Sequence, residues 1–369
     1  MPREVFIHRS QISAPAQAVF DWHARDGAFE RLTPPWQPVR LVSRTGGIDG
    51  GTVVIDIKAG PVWRRWVAEH RGYEAGHRFQ DVQVSGPFAL WEHTHTITPN
   101  GPESCELEDR IEYALPGGSI GRLIAGRSLR LMLERMFEHR HRVTADDIAR
   151  HRAYKEKSAM KVLVSGASGL VGSALVPFLS TGGHEVHRLV RTPTSEPRTI
   201  QWDPQLGNIN RDRLAGFDAV VHLSGENIAS RWTRKQMYRI RESRVESTRL
   251  LSEALARSSA PPKSFLCASA TGFYGDRGSE PLDETSASGT GFLSDVCREW
   301  ENASESLRAK GIRTAFLRFG IILTPAGGAL AKMLLPFKLG LGGPIGDGKQ
   351  YWSWIGIDDV IGAIHHVLM

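Results

Sequence analysis

Residues 161–172 constrain this chain more than any other stretch. An apolar run at 162–164 is followed by glycines at 166, 169 and 172, then by an apolar helical pattern through Leu175, Val176 and Leu179. That order predicts strand, tight turn and helix. Gly166 permits a turn that a side chain would block, Gly169 lets backbone N–H groups approach an anion, and Gly172 lets the helix pack close to the strand. An anion seated there meets free N–H donors and the positive end of the helix dipole. A second strand at 185–190 follows the helix stop Gly182-Gly183, so the glycines stand in the context of a dinucleotide-binding fingerprint. The predicted cofactor contacts in this turn are Gly166, Ser168, Gly169, Leu170 and Gly172.

From residue 160 onward, strand-like and helix-like segments alternate, which predicts an α/β Rossmann-type, doubly wound parallel sheet. A chain that binds NAD usually carries Asp or Glu at the end of the second strand, where it accepts from the ribose 2′-hydroxyl. Here Arg191 follows Val190, with Arg188 nearby, and an arginine at that edge accommodates a 2′-phosphate. NADP(H) is therefore expected in preference to NAD(H). A buried strand beginning near Asp218 ends in Leu223, Ser224, Gly225 and Glu226, at the carboxyl edge where open α/β sheets bind ligands. These four are expected beneath the cofactor. Arg318 follows a strand at 314–317 and reads either as a partner for a phosphate or substrate carboxylate, or as half of a structural ion pair.

The first half has a different texture. Residues 5–12 alternate apolar and polar, Ser13-Ala14-Pro15 caps a short helix, and strand-like runs follow at 39–43, 52–58, 63–73, 77–84, 89–98 and 104–114, separated by Gly-Gly, Gly-Pro and Pro-Asn-Gly turns. Residues 120–150 then form one long amphipathic helix. A polar stretch without apolar period reads as a linker, giving a first domain at 1–152, a linker at 153–159 and a second domain at 160–369. Trp22, Trp36, Trp63, Trp66 and Trp91 are either core or the lining of a ligand cavity. His93 and His95 share a strand face, and His139 and His141 crowd the helix, but no acidic or cysteine partner stands at ligand spacing, so no metal site is expected.

The formal charge of +6 is spread over both halves and interleaved with leucines at helical spacing, without a recognition motif, so nucleic acid is not an expected partner. No apolar run has transmembrane length and the opening residues lack a signal-peptide core, which predicts a cytoplasmic protein. Cys105, Cys267 and Cys297 are far apart and read as buried, inert thiols.

Two resemblances extend this reading. The opening strand with Ser13-Ala14-Pro15-Ala16-Gln17-Ala18-Val19-Phe20-Asp21-Trp22, the meander of strands and the long helix resemble the START-like, or SRPBCC, domains often labelled polyketide cyclase. That resemblance implies an α+β helix-grip fold, with an antiparallel sheet around the long helix and a small hydrophobic ligand between them. In the second half, Gly225-Glu226-Asn227-Ile228-Ala229, Arg231-Trp232-Thr233, Ser243-Arg244-Val245, Trp202-Asp203-Pro204 and Ser269-Ala270-Thr271-Gly272-Phe273-Tyr274-Gly275 resemble an atypical extended branch of the short-chain dehydrogenase/reductases. This is the YfcH-like "epimerase family protein" group of the NAD-dependent epimerase/dehydratase superfamily.

The second resemblance implies a substrate-side hydroxyl at Ser269 or Thr271. It also implies a tyrosine acid/base with a lysine four residues on, but Phe292 or Leu293 and Val296 or Cys297 hold those places. Tyr274 is the substitute for the tyrosine. Relatives in that group continue past the helix near 358–368, so a chain ending at Met369 is expected to have a less complete substrate side than cofactor side. Three functions remain open at this level. They are an NADP(H)-dependent oxidoreductase or epimerase-like enzyme fed an apolar substrate by the first domain, an NADPH-binding sensor with weak chemistry, and a lipid or polyketide binder on a Rossmann scaffold. A homodimer is left open.

Overall fold

A computed structural model describes residues 3–344 and 346–369 of the chain, which divides into two compact units, Met1–Glu156 and Lys157–Met369. In the first unit, strand β1 (Glu4–Ile12) leads into the short helices α1 (Ala16–Ala24) and α2 (Ala28–Leu32). A meander follows: β2 (Val39–Thr45), β3 (Thr52–Ala59), β4 (Val62–Glu74), β5 (Arg78–Ser85), β6 (Leu90–Gly101) and β7 (Ser104–Ala114). Each predicted run is present as a strand. All seven strands form one antiparallel sheet in the order β1-β7-β6-β5-β4-β3-β2.

The strands β6 and β7 alternate buried and half-buried side chains, as a sheet with one covered face requires. The cover is α3 (Gly118–Arg152), whose Leu129, Leu133, Met136 and Phe137 pack on Phe6, Trp91, Ile111 and Tyr113. A sheet closed by one long helix is the arrangement that a helix-grip fold needs. Trp22 and Trp91 lie in the core, whereas Trp36 and Trp63 are exposed at 37% each, so the five tryptophans are not one cavity lining.

The second unit alternates as its sequence predicts. It runs through β8 (Lys161–Ser165), α4 (Gly172–Thr181), β9 (Glu185–Val190), β10 (Thr199–Asp203), the short β11 (Asn208–Ile209) and β12 (Ala219–His222). Next come α5 (Arg234–Ala256), β13 (Ser264–Ala270), α6 (Phe292–Asn302), α7 (Glu305–Arg308) and β14 (Arg313–Phe319). A two-stranded parallel pair of β15 (Ile321–Leu323) and β16 (Trp354–Gly356), with α8 (Gly328–Lys338) and α9 (Ile357–Leu368), completes it.

The main sheet has the order β11-β10-β9-β8-β12-β13-β14 and is parallel except for β11. Apolar clusters fill both faces, one around Leu163, Val220 and Phe265 and the other around Val164, Phe178 and Ile364. That is the doubly wound Rossmann-type sheet, and its strand order reverses between β8 and β12. Among the described residues no helix is long and apolar enough to cross a membrane. The three cysteines are buried and unbridged, and burial pushes the Cys267 thiol up.

Candidate nucleotide site

At the switch point, β8 ends at Ser165 and the chain turns through Gly166 at φ 68°. A Cβ there would stand 2.7 Å from the carbonyl carbon and oxygen of Leu223, so Gly166 and the end of β12 can meet only without a side chain. Gly172 is held more tightly still: its Cβ would lie 2.3 Å from the Gly166 oxygen. Gly169 N–H donates to the Gly166 carbonyl at 2.9 Å, closing the turn. The three glycines therefore do three mechanical jobs, and residues 166–169 are left facing the space above the strand ends.

A buried polar chain anchors this junction from below. The Leu223 N–H donates to Ser165 Oγ at 3.2 Å, Ser165 Oγ lies 2.6 Å from His222 Nδ1, and His222 Nε2 lies 2.9 Å from Thr248 Oγ1 on α5. Burial pushes the His222 imidazole down to about 3, so the ring is neutral. With one ring hydrogen, the arrangement that satisfies every group has Ser165 donating to Nδ1 and Nε2–H donating to Thr248. On the other side, Arg244 Nη2 donates to the Glu226 carbonyl at 3.1 Å and Glu226 N–H donates to Ser243 Oγ at 2.9 Å. The loop 223–226 is thus pinned between strand and helix. Sequence reasoning missed Ser165, His222 and Thr248, because a polar residue inside an apolar strand reveals nothing of its partner 26 residues away.

A cleft of about 1530 Å³ opens over this junction. Gly166, Ser168, Gly169, Arg191, Leu223, Ser224, Gly225 and Glu226 line it, which brings together eight of the predicted cofactor contacts. Leu170 and Gly172 do not line it: Leu170 packs against Gly327 and Gly328, and Gly172 works from behind the turn. Arg188 is paired with Glu196 at 2.5 Å, but Arg191 is exposed at the cleft rim and makes no ion pair among the described residues. The cradle that a Cβ would fill, the helix N-terminus and a spare guanidinium at the rim all suit a dinucleotide.

The predicted chemical residues gather elsewhere, at the carboxyl ends of β13 and β14, where Ser269 and Arg318 are register partners. Arg318 stands outside the cleft wall. Its Nε and Nη2 each donate to Glu301 of α6 at 2.9 Å, its Nη1 donates to Tyr274 Oη at 2.9 Å, and its guanidinium lies 3.5 Å over the Phe273 ring. Glu301 holds the Arg318 guanidinium above its usual range. Of the two readings open for Arg318, the structure displays an ion pair. Ser269 is buried and its hydroxyl donates to Glu301 Oε1 at 2.7 Å, so two of the three predicted catalytic groups converge on one Glu301–Arg318 pair. Thr271 is half-buried and its hydroxyl makes no hydrogen bond among the described residues.

The first unit holds one correction to the sequence reading. Sequence spacing offered His93 and His95 no acidic partner, but sheet register supplies two: Asp81 of β5 pairs opposite His93, and Asp109 of β7 pairs opposite His95. His141 of α3 reaches the same Asp109, with Nε2 at 2.6 Å from Oδ2, while His139 instead packs edge-on against Trp36.

Comparison with known proteins matches two separate spans of the chain. Residues 12–138 match the family model for polyketide cyclase / dehydrase and lipid transport, and residues 162–369 match that of the NAD dependent epimerase/dehydratase family. The second span is 38% identical over 208 residues to the epimerase family protein Mb2239 of Mycobacterium bovis, covering 56% of this chain and 68% of that one. A crystal structure of a nucleoside-diphosphate sugar epimerase from Corynebacterium glutamicum is 35% identical and covers 98% of this chain and 75% of its own, with a TM-score of 0.84. The human epimerase family protein SDR39U1 (isoform 2), solved with NADPH, is 37% identical over 57% of this chain and 70% of its own, with a TM-score of 0.51. Through its glycine-turn unit, the chain belongs to the NAD dependent epimerase/dehydratase family.

Proposed function

We propose that the second unit binds NADP(H) in preference to NAD(H) and carries out oxidoreductase or epimerase-like chemistry on a small, partly apolar substrate. The first unit binds or delivers a hydrophobic ligand. The observation that carries the cofactor choice is Arg191, without an ion pair among the described residues and placed just after β9, where NAD-binding chains carry a carboxylate. That a relative 37% identical was solved with NADPH supports it. The cofactor, when bound, supplies the hydride donor or acceptor. Gly166, Ser168 and Gly169 would cradle its phosphates, Leu223–Glu226 would pass beneath it, and Arg191 would meet the 2′-phosphate.

On the chemical side, Thr271 is the hydroxyl left available to a substrate oxygen. Tyr274 accepts from Arg318 through its oxygen, and so keeps its own hydrogen to donate. A sensor that binds NADPH with little turnover is the second reading. It is favoured by the absence of the Tyr-x-x-x-Lys pair and by the engagement of Ser269 with Glu301.

Arg191→Ala tests the cofactor reading. A charge-assisted hydrogen bond contributes about 1.5–3 kcal/mol, so the variant should bind NADPH roughly tenfold to a hundredfold more weakly and NADH as the parent does. Fluorescence titration with both nucleotides measures this, and equal weakening of both would remove the basis for the phosphate preference.

A further inference from the structure

The nucleotide site uses nothing of the histidine–carboxylate group inside the antiparallel unit. His93 and His95 are 3% and 4% exposed and Asp109 is 3% exposed, in a layer closed by Phe79 and Phe137. Asp109 Oδ1 stands 2.8 Å from His93 Nε2 and, less well aligned, 2.6 Å from His95 Nδ1. Each histidine therefore turns one nitrogen to the same buried carboxylate. The opposite nitrogens both turn to Asp81 Oδ2, which is 3.7 Å from His93 Nδ1 and 3.2 Å from His95 Nε2.

A neutral imidazole has a single N–H. With that hydrogen on the Asp109 side of both rings, two nitrogen lone pairs and a carboxylate oxygen face one another; with it on Nε2 of His95, that ring donates to Asp81 at 3.2 Å instead. A metal ion among these three atoms makes the first arrangement favourable without any proton there. Protonating both rings would place two positive charges on imidazoles whose centroids are 4.0 Å apart, a repulsive arrangement away from water.

We propose that His93 Nδ1, His95 Nε2 and Asp81 Oδ2 are the protein ligands of one divalent transition-metal ion, with Asp109 as the carboxylate that orients both imidazoles. One donor atom from each of the three residues lies within 4.8 Å of the others. The two measured separations bracket the roughly 3.3 Å between ligands that each sit about 2.0–2.1 Å from a tetrahedral ion. A carboxylate behind each ligating histidine fixes its tautomer and ring orientation, and this second layer is the usual companion of a real metal centre. Asp81 keeps 28% of its side-chain exposure, so the site is open on that side to water or to an oxygen-donor ligand. Two histidines and one carboxylate with open positions suit Zn²⁺ or Fe²⁺ and exclude a closed structural site. His70 Nδ1, 2.6 Å from Asp81 Oδ1, buttresses the other carboxylate oxygen.

The rival is a metal-free polar network that only stiffens the sheet. Tag-free full-length protein, stripped with a chelator and then titrated with Co²⁺, separates the two. The expected result is one equivalent of Co²⁺ per chain, with visible d–d absorption more intense than that of the aqueous ion and displaced by Zn²⁺. Asp81→Asn should abolish that absorption while circular dichroism stays that of the parent, and Asp109→Asn should weaken binding about 10–100-fold. His93→Gln replaces Asp81→Asn as the ligand variant if the latter does not fold. Absence of Co²⁺ binding by the folded parent at millimolar metal, or unchanged affinity in the folded ligand variant, would overturn the proposal.

Discussion

Gly172→Val is expected to destabilise the second unit by about 3 kcal/mol, at the upper end of what overpacking costs, and to abolish nucleotide binding. The added Cβ would lie 2.3 Å from the Gly166 oxygen, 2.6 Å from the Ala167 Cα and 2.9 Å from the Ala167 carbonyl carbon. These are backbone atoms of the turn itself, so no rotamer change relieves the contact. Moving α4 outward instead would pull Leu175, Phe178 and Leu179, all fully buried, away from β8 and α9. Moving the turn would drive Gly166 into Leu223, where contact is already at its limit. For a unit of this size, about 3 kcal/mol corresponds to a fall in Tm of roughly 6–12 °C. Thermal unfolding of the full chain with and without NADPH checks this: the second unit's transition should drop and lose its response to the nucleotide. A variant that kept both would show that helix and turn do not meet as described.

Glu301→Gln is the second large effect. Glu301 and Arg318 keep only 10% and 20% of their side-chain exposure, and the carboxylate also takes the Ser269 hydroxyl. Breaking a fully buried pair costs about 3–5 kcal/mol, because the surviving charge is left without compensation. Arg318 retains some water, so about 2–3 kcal/mol is expected here, or roughly 4–12 °C in Tm. The cost lies in stranding the cation and not in the net strength of the pair. Replacing both residues, Glu301→Leu with Arg318→Met, should therefore recover most of what Glu301→Gln loses. Chemical denaturation of the single and double variants measures this. A double variant less stable than the single one would mean that the pair is itself strongly stabilising.

The elements that were legible in the sequence are those whose cause is local. Strand β8, the glycine turn, α4 and β9 follow from spacing within 30 residues, and α3 from its apolar period between Leu129 and Ile148, whereas Ile120, Leu123 and Ile124, read as part of the same stripe, are exposed. The cleft contacts were legible for the same reason, since Gly166–Gly169, Arg191 and Leu223–Glu226 all sit where strands end. What stayed hidden is what register decides. Asp81 and Asp109 come to His93 and His95 only because β5 and β7 flank β6 in one particular pairing, and a slip of one residue would turn every one of them to the other face. Glu301 has no role in the sequence reading, because its partners Ser269 and Arg318 are brought to it by the parallel pairing of β13 with β14. Tyr274 and Ser269 were foreseen individually; their common attachment to Glu301–Arg318 was not.

A glycine-turn cleft that binds a nucleotide and prefers the 2′-phosphate must discriminate NADPH from NADH. The most direct measurement is calorimetric titration of the full chain with NADPH and, in parallel, with NADH. The expected result is one site per chain and a dissociation constant at least tenfold lower for NADPH, which at 100 times that constant would add about 2.7 kcal/mol to native stability. Tighter binding of NADH would contradict the role given to Arg191, and no binding of either nucleotide would reduce the glycine turn to a structural device.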